Sequence, residues 1–233
     1  MDFSSLIELD KQLLLSVNGS ESLFLDGLVK TLTTATTWIP LYCALLYMVI
    51  KNNDRAQKVL MIVGGALLCV FLAGSLDDIF VKPMVARWRP THDPMIGMDV
   101  DIVNDYRGGY YGFFSAHASN TFSLAVFFAL LVRDRIFSIA VILWSLVNCW
   151  TRMYLGVHYP GDILVGLLWG GLVGTAVWYL HLLLTRQFST EKTYISTQYT
   201  STGYQIQDVN VVIAVLVMLF IYAALKACYY VYI

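Results

Sequence analysis

The chain has 233 residues, 58% of them hydrophobic and 13% charged, with a net charge of −1 and a mean hydropathy of +0.65. Soluble domains run at about half apolar and about a quarter charged, so this composition places the chain in a membrane. The near-zero charge removes any bulk electrostatic argument for a nucleic-acid partner.

A helix needs about 20 apolar residues to cross roughly 30 Å of hydrocarbon, and backbone groups in lipid must be satisfied within the segment. The sequence therefore predicts an all-α polytopic membrane bundle of about six spans, near 31–50, 59–80, 118–132, 136–151, 162–184 and 209–231. Ahead of the first span, Leu6, Ile7, Leu9, Leu13, Leu14 and Val17 recur at helical spacing beside Asp10 and Lys11. This stretch is read as a short N-terminal interfacial helix or a packed N-terminal arm. It lacks the basic region and apolar run of a cleaved signal peptide. The third and fourth spans are short and joined only by Arg133-Asp134-Arg135, which predicts a tight helical hairpin with longer helices.

The chain divides into a membrane-embedded core over 1–184, a polar cytoplasmic linker rich in Ser, Thr, Gln and Tyr over 185–208, and an additional C-terminal helix over 209–233. Cys43, Cys69, Cys149 and Cys228 all lie in apolar runs without CxxC spacing and read as buried, unreactive thiols. Orientation follows from Lys and Arg placement. The loops at 51–58, 133–135 and 185–208 carry Lys51, Arg55, Lys58, Arg133, Arg135, Arg186 and Lys192. The opposite face carries Lys11, Lys30, Arg87 and Arg107, once Lys82, Arg89 and Arg152 are set aside as a site. The bias puts the three loops in the cytoplasm.

With six spans, KPMVARWRP (82–90), FSAH (114–117) and TRMYLGVHYPGD (151–162) reach the same, non-cytoplasmic surface. Ionisable groups at membrane depth are costly, and they are functional when they can meet. Lys82, Arg89 and Arg152 suit a multiply charged anion, and arginine's planar fork suits phosphate oxygens in particular. Lys82 and Arg89 lie two helical turns apart if the stretch stays helical past Pro83. Ser115 can donate a hydrogen bond, and the start of the third span adds unpaired N–H groups that favour anions.

A pure binding site would not need the histidines. His158 and Asp162 are four apart, so the carboxylate can hold one ring nitrogen and leave the other as nucleophile, with His117 as general acid. A metal is the competing use of His and Asp, but three cations would repel it and no ligand spacing is present. Asp77 and Asp78 close the second span, either pairing with Lys82 or standing as solvated interfacial acids. The 91–113 loop reads as a roof over the site. On it Arg107 is a further candidate phosphate contact, and Tyr110, Tyr111 and Trp88 are candidate substrate contacts or part of an interfacial aromatic belt. His181 lies far from the cluster and reads as a packed histidine.

These three blocks resemble the signature of the type 2 phosphatidic acid phosphatase family, which also includes vanadium haloperoxidases: K-x6-RP, PSGH, SR-x5-H-x3-D. Lys82 through Arg89-Pro90 matches the first block, Ser115 and His117 the second, and Arg152, His158 and Asp162 the third. The resemblance implies an integral membrane lipid phosphatase without metal or other cofactor, acting on a lipid phosphate held in the bilayer. His158 would form a phosphohistidine, Asp162 would orient it, and His117 would protonate the leaving oxygen. Lys82, Arg89, Arg152, Ser115 and the backbone at Ala116 would bind the phosphate. Undecaprenyl diphosphate and lipid A rank first among the implied substrates, ahead of phosphatidylglycerophosphate and phosphatidic acid. Phe114, Ala116 and Thr151 depart from the pattern by replacing proline, glycine and serine. Ala116 matters most, because glycine there permits a positive φ and close approach to phosphate.

Overall fold

The computed structural model describes residues 3–185 and 197–231, and among these every regular element is helical. In chain order they are α1 (Phe3–Leu15), α2 (Leu23–Thr33), α3 (Ile39–Lys51), α4 (Ala56–Val85), α5 (Ala116–Val132), α6 (Arg135–Tyr154), α7 (Pro160–Thr185) and α8 (Ile206–Val231). Of the linker, 186–196 lies outside the described residues.

Four helices, α4, α6, α7 and α8, are long and apolar enough to cross a bilayer by themselves. The expected first span is instead a pair, α2 and α3, bent by 67°. The bend has an identifiable cause: Thr34 is extended, a 3-10 turn over Ala35–Trp38 follows, and Pro40 opens α3. Carbonyls freed at the break find side-chain donors, with Thr37 Oγ1 on Thr31 O at 2.7 Å and Trp38 Nε1 on Leu32 O at 2.9 Å. The expected third span, α5, has only 17 residues and is buried along much of its length, because it is the central helix of the bundle. The tight hairpin is present: α5 ends on Arg133 in the left-handed conformation, and Asp134 caps α6 by accepting from Phe137 N at 2.8 Å.

Lipid gives helices no hydrophobic reason to associate, so close contact depends on small residues. Gly166, Gly170 and Gly174 form one stripe of α7 and face Ser115, Ser119 and Ser123 of α5. A Cβ on Gly170 would lie 2.5 Å from Ser119 O, against rigid backbone. Gly170→Val is expected to force α5 from α7 and to destabilise the protein by at least about 3 kcal/mol, the upper part of the overpacking range. Thermal unfolding in detergent measures it, and an unchanged midpoint would refute the packing account.

Two wide π-helical turns, Phe71–Ser75 and Asp77–Val81, interrupt α4 near its end. Such turns shift the register of everything beyond them. Here they accompany a fully buried Asp77, with Lys82 beside it. At the far end of the bundle the connections are tied together: Asn52 donates to Asp208 at 2.9 Å, Gln205 N to Asn52 at 2.7 Å, and Thr202 to Val132 O at 2.7 Å. His181 is buried toward that end, its ring edge-on to Phe127. Of the cysteines, Cys69 and Cys149 are buried as expected, but Cys43 and Cys228 lie on outward helix faces; an apolar run marks membrane depth, not the inward side.

The N-terminal helix shows both expected characters. Leu6, Ile7, Leu9 and Leu13 are exposed along one side, as for a helix lying in an interface. Leu14 is fully buried with Ile96, Val100 and Tyr159, and this contact seats α1 beside the start of α7.

Candidate active site

The three polar blocks meet at one end of the bundle. Their backbones are joined directly: Ser115 N donates to Asp162 O at 3.1 Å, Arg89 N to Tyr110 O at 2.8 Å, and Gly112 N to Arg87 O at 2.9 Å. Asp77 adds a side-chain tie by accepting from Phe114 N at 3.2 Å.

His158 lies in the short connection between α6 and α7. Gly156 takes a φ of +64° there, which only a residue without Cβ adopts freely, and returns the chain toward the bundle. The imidazole is 1% exposed. Its Nδ1 faces Asp162 Oδ2 at 3.6 Å, within ion-pair range but beyond a hydrogen bond. Its Nε2 lies 3.4 Å from Arg89 Nη1. Since guanidinium only donates, Nε2 presents its lone pair on the arginine side, and the ring proton belongs on Nδ1, toward Asp162. Burial first, then the charges of Arg89, Arg152, Lys82 and His117, push the His158 pKa well below its ordinary 6.5. The ring is therefore neutral at physiological pH, as a nucleophile must be.

Asp162 is fully buried in the first turn of α7. Its Oδ2 accepts from Tyr159 N at 3.0 Å, and its Oδ1 pairs with Arg87 Nη1 at 2.7 Å. In the sequence Arg87 counts only as an orientation charge; the structure gives it a second place, between two carboxylates. Its other nitrogen, Nη2, pairs with Asp10 of α1 at 2.7 Å, and its guanidinium stacks 4.2 Å over the Tyr159 ring. Asp10 and Arg87 are the members of the site that sequence reasoning missed. Arg87 sits inside the first motif block, but only long-range docking of α1 shows its purpose.

The cationic candidates for anion binding divide into two kinds. Arg152 is 2% exposed, held by Thr33 Oγ1 at 2.7 Å and Tyr106 OH at 3.1 Å. Arg89 is fixed by Tyr111 O at 3.1 Å. Among the described residues neither arginine has a carboxylate within ion-pair distance. Burial, together with the Arg152 charge, lowers the Arg89 pKa from its ordinary value. A buried guanidinium and a half-buried one beside it, neither with a carboxylate in ion-pair contact, favour an anion near both. Lys82 differs: it pairs with Asp77 at 3.2 Å and with Asp78 on the preceding turn. Both acids therefore pair with the lysine, Asp77 from a buried position and Asp78 from an exposed one.

Lys82 and Arg89 are not two turns of one helix. Helix α4 stops at Val85, Ala86 is left-handed at φ 49°, and Arg89 is extended, as a residue before proline must be. Arg89 nevertheless reaches His158, and the Lys82 charge acts on it as well. Ser115 is the N-cap of α5: its Oγ accepts from Ala118 N at 3.4 Å, which leaves the hydroxyl proton to donate. Ala116 begins α5 and is absent from the positive-φ residues, so its methyl group costs nothing in backbone strain. His117 follows on an exposed position of the first turn.

The 91–113 loop closes over these groups. Gly112 packs so tightly that a Cβ there would lie 3.0 Å from Arg89 Cγ, 3.4 Å from Asp162 Oδ2 and 3.6 Å from His158 Nδ1. At the mouth, Trp88 stacks against Tyr110 and Tyr111, and Tyr110 against a half-buried His92. Arg107 is exposed on the loop; its carbonyl accepts from Thr91 Oγ1, and its charge acts on His92. No three His, Cys, Asp or Glu side chains among the described residues gather as metal ligands.

An all-helical membrane chain with a neutral imidazole beside guanidinium groups that lack carboxylate partners among the described residues is suited to phosphoryl transfer in a bilayer. The chain belongs to the PAP2 superfamily, whose domain matches residues 58–186. It is 38% identical over 188 residues to the lipid A 4′-phosphatase of Bacteroides thetaiotaomicron, covering 80% of this chain and 83% of that one. It is 35% identical over 179 residues to the lipid A 4′-phosphatase of Porphyromonas gingivalis, covering 76% and 75%. A lipid A 1-phosphatase of Rhizobium etli is 31% identical over 129 residues, 54% of each chain. No solved structure matches significantly.

Proposed function

We propose that this protein is a membrane lipid phosphatase that removes the 4′-phosphate of lipid A through a phosphohistidine. The observation that carries the reaction is a neutral His158 whose Nε2 faces Arg89, with the charge of buried Arg152 also acting on it and neither arginine in ion-pair contact with a carboxylate among the described residues. Nε2 attacks phosphorus, and a P–N bond forms as the P–O bond to the sugar breaks. In the complex, where the bound phosphate anion offsets the cations around it, the His117 imidazolium gives its proton to the departing oxygen. It then takes a proton from water, the water oxygen attacks phosphorus, and the electron pair of the P–N bond returns to Nε2. Arg89, Arg152, Lys82, Ser115 and the first backbone N–H groups of α5, at Ala116, bind the equatorial oxygens as their charge grows.

Similarity to two lipid A 4′-phosphatases over most of each chain supports that lipid over undecaprenyl diphosphate. The Trp88, Tyr110 and Tyr111 rings at the mouth suit the face of a sugar, while acyl chains remain in the bilayer. With the site's own Lys82, Arg89 and Arg152 set aside, the Lys and Arg excess on the 51–58, 133–135 and 185–208 connections supports a site that faces away from the cytoplasm.

The test is phosphate release from lipid A bearing both phosphates, from its two monophosphoryl forms, from undecaprenyl diphosphate and from phosphatidylglycerophosphate, at fixed detergent. Loss of the 4′-phosphate at the highest kcat/KM is expected. Equal or faster turnover of undecaprenyl diphosphate would contradict the substrate. No release from any lipid would favour a protein that only binds lipid phosphates.

A further inference from the structure

We propose that Asp10 of the N-terminal helix is a positioning residue of the active site, the outer end of a charge chain Asp10–Arg87–Asp162–His158. The proposal rests on His158 as nucleophile and adds to it a part of the chain that lies outside the matched PAP2 region, 58–186.

Arg87 uses one Nη for each carboxylate, Nη2 to Asp10 Oδ2 and Nη1 to Asp162 Oδ1, both at 2.7 Å. Asp10 Oδ1 also accepts from Gly161 N at 2.7 Å, one of the unpaired donors that open α7. Gly161 leaves little room for anything else, since a Cβ there would lie 2.9 Å from Asp10 Oδ2. One turn along α1, buried Leu14 anchors the helix in that position. Asp10 is thus clamped from two sides, with its side chain only 14% exposed.

The physical role follows from what Asp162 must do. Its carboxylate has to favour the Nδ1–H of His158, yet a full cation is bonded to its other oxygen. Were Arg87 paired with Asp162 alone, it would neutralise the charge that His158 needs. By sharing Arg87, Asp10 returns part of that charge to the imidazole and fixes the carboxylate plane. The charged and titratable groups facing His158 are Asp162 and Tyr159 beside it, Lys82 at the end of α4, Arg89 on the following loop, His117 on α5 and Arg152 on α6. None of the others touches Asp10.

The experiment compares pH–rate profiles of Asp10→Asn and Arg87→Gln on a short-chain lipid phosphate. Asp10→Asn keeps the acceptor for Gly161 but removes a negative charge. It is expected to lower kcat about 10-fold, the order seen when an outer orienting partner is lost, with KM within about 2-fold. It should also move the acid limb of kcat/KM to lower pH, because a more positive surround opposes protonation of His158. Arg87→Gln removes a positive charge and should move that limb to higher pH. Shifts of opposite sign are the signature of the charge chain, since general loosening would move both variants the same way. Unmoved limbs, limbs moving together, or a normal kcat in Asp10→Asn would overturn the proposal. If Arg87→Gln does not fold, the Asp10→Asn limb and kcat decide alone. Failure of the nucleophile itself is separate, because it would show as activity remaining in His158→Ala.

Discussion

Replacing His158 with alanine is expected to lower phosphate release on the order of 10⁴-fold or more, leaving only what binding and electrostatics supply. The fold should tolerate the change, because Nδ1 makes no hydrogen bond and Nε2 only one long contact. The wild-type pH profile is part of the same prediction. Burial and surrounding cations lower the His158 pKa, so its proton is already off well below the ordinary imidazole range. The acid limb of kcat/KM should therefore lie below pH 6.5. Bound phosphate offsets the cations, so the acid limb of kcat should sit higher than that of kcat/KM. An acid limb above 6.5 in the free enzyme would mean that some other group titrates.

His117→Gln gives the second large effect, and it depends on the leaving group. A sugar hydroxyl leaves poorly unless protonated, so a lipid substrate should slow by about 10²–10⁴-fold, the usual worth of a general acid. A nitrophenyl phosphate leaves without protonation, so its first step should be nearly unaffected. Its second step still needs His117 to activate water, and the phosphorylated enzyme should accumulate. An equal loss on both substrates in a single turnover would assign His117 to binding. Its exposed position in the first turn of α5, near uncompensated Arg89 and Arg152, is where a group meeting an incoming ester must stand.

Much of this was legible in the residues. The three blocks are visible because charged side chains interrupt apolar runs, and a membrane makes such interruptions expensive. Helix order then fixes which blocks share a face. What was hidden depends on long-range geometry. Arg87 lies inside the first block but at none of its signature positions, so nothing local separates its role from that of Arg107, yet one is clamped between two carboxylates and the other is exposed on a loop. Asp10 shows its role only once Leu14 has seated α1. The break in the first span was signalled by Pro40 and the threonines before it, but hydropathy passes through such a break unchanged. The π-helical turns of α4 leave no composition signal at all. The Gly166, Gly170, Gly174 stripe was present in the sequence at four-residue spacing and marks a close contact between α5 and α7.

The most direct test of the phosphohistidine account is a rapid acid-free quench of His117→Gln turning over a labelled nitrophenyl phosphate. The account predicts near-stoichiometric, acid-labile and base-stable label on the peptide containing His158, absent when His158 is also replaced. Turnover with no label on His158, or label on another residue, would contradict it.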